Sequence, residues 1–164
     1  MSFFSVNYFT LLGVKETYYQ EAEIIRENYL KLQQQLHPDR FVNASAQAKQ
    51  LAVEYTAELN QAYQTLLDPV LRAIYLLKQK GGEWNEESRV TLPTDFLEEQ
   101  LLWQEQLEKG QSSGEEKIYE KKKELIAALT ECFDKVILSE EDYETIRHCI
   151  YKMQFYKNIL CNIK

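Results

Sequence analysis

His37-Pro38-Asp39-Arg40-Phe41 interrupts what would otherwise read as one long helical pattern, and its position decides the fold. On the N-terminal side, from about Tyr19 to Leu36, residues Ile25, Tyr29, Leu32 and Leu36 fall within about 60° of one another on a helical projection, with Ala22 at the margin. That is one apolar stripe on an otherwise polar helix. Proline disfavours helical backbone in the residue before it, so the helix has to stop at His37. A loop through Asn43 leads to a second long helix, about Ser45 to Leu67, with Leu51, Tyr55, Leu59, Ala62 and Leu66 at spacings of three and four. Two striped helices joined by so short a break predict an antiparallel hairpin with His37, Pro38 and Asp39 at its turn.

Further out, the same helical logic holds. Asn7 is an N-cap type and Gly13 a natural stop, which predicts a short helix between them. Asp68-Pro69 opens another, with proline suited to the first turn. It runs through Leu71, Ile74, Tyr75 and Leu77 to Gly81-Gly82. Glu83 to Leu92 shows no period and reads as a linker. Three more helices are expected. One runs from near Pro93 to Gly110. The next opens on Ser113-Gly114-Glu115-Glu116, a capping-box spacing after a surface loop. The last follows Ser139, where Glu140, Glu141 and Asp142 favour the positive end of the helix, and reaches almost to Lys164. Short connections make these three an antiparallel bundle.

With five Gly and three Pro in 164 residues, and no β-type alternation, the fold class is all-α. Eight cations balance eight carboxylates in residues 1–80; residues 81–164 hold eleven against eighteen and carry the whole net charge of −7. Such a balance excludes a nucleic-acid footprint, which needs a basic face. No apolar run approaches the roughly 20 residues that span a bilayer. The start, Met1-Ser2-Phe3-Phe4-Ser5, has neither the charge nor the apolar core of a signal peptide, so a bacterial cytoplasmic protein is expected. Cys132, Cys149 and Cys161 lie in helical patterns with no close-spaced pair, and are expected as buried thiols rather than disulfides or metal ligands. No metal and no cofactor is expected, and no phosphate loop, nucleophile elbow or HExxH motif gives an enzyme a catalytic residue.

From Asn7-Tyr8-Phe9-Thr10-Leu11-Leu12-Gly13 through the His37 motif to Asn60-Gln-Ala-Tyr63-Gln-Thr-Leu66, Asp68-Pro69 and Arg72-Ala-Ile-Tyr75, the chain resembles a J-domain. With Arg72-Ala-Ile-Tyr75-Leu-Leu and the acidic helical region containing Phe96-Leu97-Glu98-Glu99-Gln100, it is similar in particular to HscB-type J-proteins of iron–sulfur cluster assembly. The resemblance implies a J-domain over 1–80, a linker over 81–92 and a client-binding three-helix domain over 93–164. It also implies a function without catalysis: a co-chaperone that binds the scaffold protein IscU, presents it to an HscA- or DnaK-type chaperone and stimulates that chaperone's ATPase. His37, Pro38 and Asp39 take the docking role. Pro38 stiffens the loop, and Asp39 can form a charge-assisted pair with an arginine of the chaperone. Arg26, Lys31 and Arg40 stand at positions of the basic face that J-domains turn to their chaperone. Glu27, Leu30 and Gln35 replace basic residues frequent in the family, which weakens the electrostatic part of docking.

The helix after Pro93 points to a second surface on its own pattern. Measured around the helix from Phe96, Trp103 falls about 20° to one side and Leu107 about 20° to the other, a narrow core stripe. Leu97, Leu101 and Leu102 lie well off that stripe, at about 100°, about 140° and about 240° around the helix from Phe96. They sit among Glu98 and Glu105 and are more than one core contact needs. On the last helix Ile146, Ile150, Met153 and Leu160 form the main stripe, while Tyr151, Phe155 and Ile159 point the other way. Apolar surface rimmed by carboxylates is what a partner site looks like. The resemblance places IscU there: Leu97, Leu101, Glu105 and Phe155 match the family's patch, and Glu98 and Leu102 occupy patch positions with acidic and apolar chemistry exchanged. A monomer is expected. Two rival readings stand beside this one: a J-protein with another client on the same bundle, and a metal-binding helical protein using His37, His148 and the cysteines.

Overall fold

A computed structural model describes residues 6–85, 94–109 and 113–162, and among these every regular element is a helix. The helices are α1 Tyr8–Leu11, α2 Ala22–Gln35, α3 Ala46–Leu67, α4 Pro69–Gln79, α5 Thr94–Glu108, α6 Ser113–Phe133 and α7 Glu140–Asn162. A single 3-10 turn, Pro38–Phe41, lies between α2 and α3. The chain divides into two compact units, Met1–Arg72 and Ala73–Lys164.

In the first unit α3 packs along α2 and under α1. The Asn7 side chain accepts from the Phe9 amide at 2.9 Å and starts α1; Gly13, at φ 63°, ends it in the left-handed region that costs glycine nothing. Ser45 caps α3 by accepting from the Ala48 amide. Ile25, Leu59, Ala62 and Leu66 are wholly buried, as their stripes require. Across the hairpin Tyr29 stacks on Tyr63 with ring centroids 4.0 Å apart and donates to Asn60 Oδ1 at 2.8 Å. The other stripe residues are less covered: Tyr29, Leu32, Leu36 and Tyr55 are half-buried, and Leu51 is 53% exposed. Each step of four residues turns a helical stripe by about 40°, so Leu51 stands about 80° from Leu59. It also lies on the first turns of α3, away from the buried Leu59, Ala62 and Leu66.

In the second unit α7 packs on α6, and α5 on α6. Phe96, Trp103, Ile118, Tyr156 and Ile159 form one core cluster, with Leu125, Phe155 and Leu160 against it. Ile146, Ile150 and Met153 are buried as expected. Ile159, expected on the opposite, outward side of α7, is buried as well. The reason is that α7 uses two faces: the Ile146 stripe, and a second face covered by the aromatic rings of α5. Upstream, Tyr143 donates to the Lys80 carbonyl at 2.7 Å, Tyr151 donates to the Asn85 carbonyl at 3.1 Å, and Trp84 lies 4.7 Å from the Tyr151 ring. Residues 80–85 are thereby strapped to α7. Cys132 and Cys149 are buried, and burial pushes the Cys149 thiol up to about 11; Cys161, expected inside, is exposed on the last turn. Ser113 opens α6, but its side chain and residues 110–112 lie outside the described residues, as do residues 86–93, with most of the expected linker, and the side chains of Pro38 and Leu107.

Candidate functional site

The hairpin turn is built from its own side chains. His37 is the N-cap of the 3-10 turn: its Nδ1 accepts from the Asp39 amide at 3.3 Å, and Arg40 N donates to the His37 carbonyl at 3.0 Å. The His37 and Asp39 side chains are 59% and 86% exposed, so both functional groups reach water. Exposed groups held by a short, locally hydrogen-bonded turn lose little freedom when a partner takes them up.

Beside His37 opens a groove of about 740 Å³ between the last turns of α2 and the first half of α3. Leu36, Phe41, Ala52, Val53 and Ala57 give it an apolar floor, and Lys49 joins His37 in its lining. Neither this groove nor Lys49 figures among the sequence expectations. A signal exists for both: Val53 and Lys49 fall off the packed stripe of α3, next to the turn in space although ten or more residues away in sequence.

Arg26 and Lys31 are exposed on α2 but not free. Arg26 pairs with Glu23 at 2.9 Å, and Lys31 with Glu27 at 3.7 Å. Such exposed pairs are worth about 0–1 kcal/mol, so a stronger carboxylate can displace them. Arg40 is exposed on the turn itself.

On α5 the outward residues are as open as the angular argument requires: Leu97 is 47%, Leu101 68% and Leu102 58% exposed. Glu98 and Glu105 are exposed among them, and Glu105 pairs with Lys109 at 2.7 Å. Phe155 sits differently. It is half-buried, edge-on to Phe96 with centroids 5.7 Å apart, and so belongs partly to the core. Tyr156 beside it is buried, its hydroxyl pushed up to about 12 by burial and then by Glu99 and Glu124. Among the described residues no group of three or more His, Cys, Asp or Glu comes together to hold a metal ion. No helix among them is long and apolar enough to cross a membrane.

Comparison with known proteins agrees with this anatomy. The DnaJ domain family matches residues 7–75, and the HSCB C-terminal oligomerisation domain matches residues 92–164. A "Co-chaperone protein HscB homolog" of Shewanella halifaxensis is 42% identical over 110 residues, which span 67% of this chain and 63% of that protein. The homolog of Shewanella baltica strain OS155 is 33% identical over 141 residues, 83% of this chain and 81% of its own. Among solved structures, the chaperone HscB from Vibrio cholerae superposes with a TM-score of 0.79 at 28% identity, over 96% of this chain and 95% of that one. The human co-chaperone protein HscB superposes with a TM-score of 0.82 at 26% identity, over 97% and 81%. An all-helical chain with the His-Pro-Asp turn at the apex of a hairpin, followed by a helical unit of this second kind, belongs to the HscB co-chaperone family.

Proposed function

We propose that this chain stimulates the ATPase of an HscA- or DnaK-type chaperone and delivers to it a client, the iron–sulfur scaffold protein IscU. The observation that carries the reading is the turn: His37 and Asp39 stand exposed at the end of the α2–α3 hairpin, with an apolar groove beside His37. Asp39 offers an exposed carboxylate to a cationic side chain, and such charge-assisted contacts contribute about 1.5–3 kcal/mol. Arg26, Lys31 and Arg40 supply the basic side of the docking face. In this reading residues 1–80 act as the J-domain, 81–92 as the connection and 93–164 as the client-binding domain.

For the client side, three exposed leucines on one 15-residue helix, set among Glu98 and Glu105, offer apolar area with an acidic rim. This suits a partner with an apolar patch and basic neighbours. Phe155 supports the patch from α7 through Phe96. The test is to mix the full chain with IscU and with the chaperone separately, by titration calorimetry. Binding to both, lost independently by changes at Asp39 and at Leu101, supports the reading; a chain that binds neither contradicts it.

A further inference from the structure

His37 Nδ1 has two possible partners in one residue, Asp39, and chemistry lets it use only one at a time. It accepts from the Asp39 amide at 3.3 Å, and it lies 3.5 Å from Asp39 Oδ2. Accepting an amide proton requires a lone pair on Nδ1, hence a neutral ring protonated on Nε2. Binding the carboxylate requires a proton on Nδ1, hence the imidazolium. Histidine is the residue type whose charge changes between about pH 5 and 8.

Resting on the chaperone-docking reading above, we propose that His37 is a proton-operated switch within its own turn. With the ring neutral, Nδ1 caps the turn through the Asp39 amide. The Asp39 carboxylate then faces an acceptor nitrogen, gains nothing from it and stays available to a cationic partner. When Nδ1 takes up a proton, the cap is lost and the new N–H donates to Asp39 Oδ2. The carboxylate is then occupied and its charge offset, so the loop presents a closed pair in place of a free anion. The charged groups around the ring are few. Asp39 and Arg40 come from the turn and Lys49 from α3; α2 brings only the neutral Gln33 and Gln34 to the groove. Among the described residues no carboxylate lines the groove with the ring, so a proton on Nδ1 has Asp39 to pair with.

The device is tested in two arms on the full chain. In the free protein, nitrogen NMR reads the His37 ring and the Asp39 amide between pH 8 and pH 5.5. The expected result is an Nε2–H tautomer at pH 8, with the Asp39 amide resonance moving in step with ring protonation. In Asp39→Ala, which has no side-chain acceptor, the protonated ring should lose its protected Nδ1–H signal. An Nδ1–H tautomer at pH 8, or an Asp39 amide indifferent to the ring, overturns the switch whatever the chaperone does. In the second arm, affinity for an ATP-bound DnaK-type chaperone should fall about threefold or more from pH 8 to pH 5.5, beyond any change in that chaperone's own peptide-stimulated turnover. Equal affinity at both pH values overturns the proposal that the switch governs docking. No binding at either pH, with ring and amide still coupled, contradicts the docking reading and supports the switch as a property of the loop.

Discussion

Arg72 donates from Nη1 to the carbonyl oxygen of Tyr18, 54 residues away in sequence, at 2.8 Å. Its Nε donates to the Leu66 carbonyl at 2.7 Å, and the guanidinium lies over the Tyr18 ring, 5.6 Å from its centroid. Only 6% of Arg72 is exposed, and burial pulls its pKa below the usual arginine range. One planar cation thus ties the end of α3 and the segment before α2 to the first turn of α4. Arg72→Ala leaves two carbonyls without their donor, and unsatisfied buried groups cost about 1–3 kcal/mol each. Urea unfolding should show a loss of about 2–4 kcal/mol. Arg72→Lys should recover little, because a single ammonium cannot reproduce the fork. A loss below about 0.5 kcal/mol for Arg72→Ala would assign the residue to the surface class.

Gly82 meets the side chain of Leu77 and the Tyr143 ring so closely that an added Cβ has no room, with Tyr143 Cδ1 2.9 Å from it. Gly81 stands at φ 87°. Gly82→Ala should therefore cost about 1–3 kcal/mol by overpacking. Gly81→Ala, whose Cβ would meet only the Tyr143 hydroxyl at an ordinary contact distance, should cost about 1–2 kcal/mol through its backbone conformation. Thermal unfolding of both variants checks the order; equal stability with the native chain would show that residues 80–85 are not held against α7.

At the α6–α7 turn Asp142 pairs with Lys135, accepts from the Ser139 amide at 2.9 Å and from the Ser139 hydroxyl at 2.8 Å. Hydrogen bonding from Lys135, then from Ser139, holds its carboxyl down at about 2. The unfolded chain's aspartate titrates near 3.9, so the folded state binds this proton less readily. The stabilisation is complete above about pH 4–5 and is lost as pH falls through about 2. Asp142→Asn should flatten that part of the stability–pH curve. An unchanged slope between pH 5 and pH 2 would show that the pair does not persist in solution.

Leu97 and Leu101 are open to solvent, whereas Phe155 lies half inside on Phe96. Their alanine variants should separate accordingly. Leu97→Ala and Leu101→Ala should leave the unfolding free energy within about 0.5 kcal/mol, and together weaken IscU binding by tenfold or more. Phe155→Ala should weaken binding too, but with about 1–3 kcal/mol of stability lost, since part of a ring leaves the core. Calorimetric binding and melting temperature on the same proteins give both numbers. Loss of stability at Leu97 or Leu101 would place those residues in a packed interface within the chain.

Most of the fold was legible because helices advertise themselves locally. The cap at Asn7, the stop at Gly13, Pro69 in a first turn and the acids after Ser139 all lie within a few residues of what they control. The open face of α5 was legible for the same reason: periodicity ranks Phe96 and Trp103 against Leu97, Leu101 and Leu102 on one helix. What sequence could not supply is which other element covers a second face. Ile159 and Tyr156 become core only because the α5 rings lie on them, and Tyr151 gains its partners only because Trp84 and Asn85 return to α7. The groove beside His37 needs two helices to diverge, and the double use of Nδ1 needs atomic distances. Only the off-stripe placement of Lys49 and Val53 on α3 hints at the first, and no spacing announces the second.

Whether the exposed His37–Asp39 turn drives a partner's ATPase is decided by single-turnover hydrolysis of ATP on the cognate DnaK-type chaperone, with and without IscU. The native chain should accelerate hydrolysis, and further with IscU present. His37→Gln and Asp39→Asn should abolish the acceleration while retaining full helicity by circular dichroism, because surface substitutions at a turn usually change stability by less than about 0.5 kcal/mol. Undiminished acceleration by folded Asp39→Asn would rule out that role for the turn.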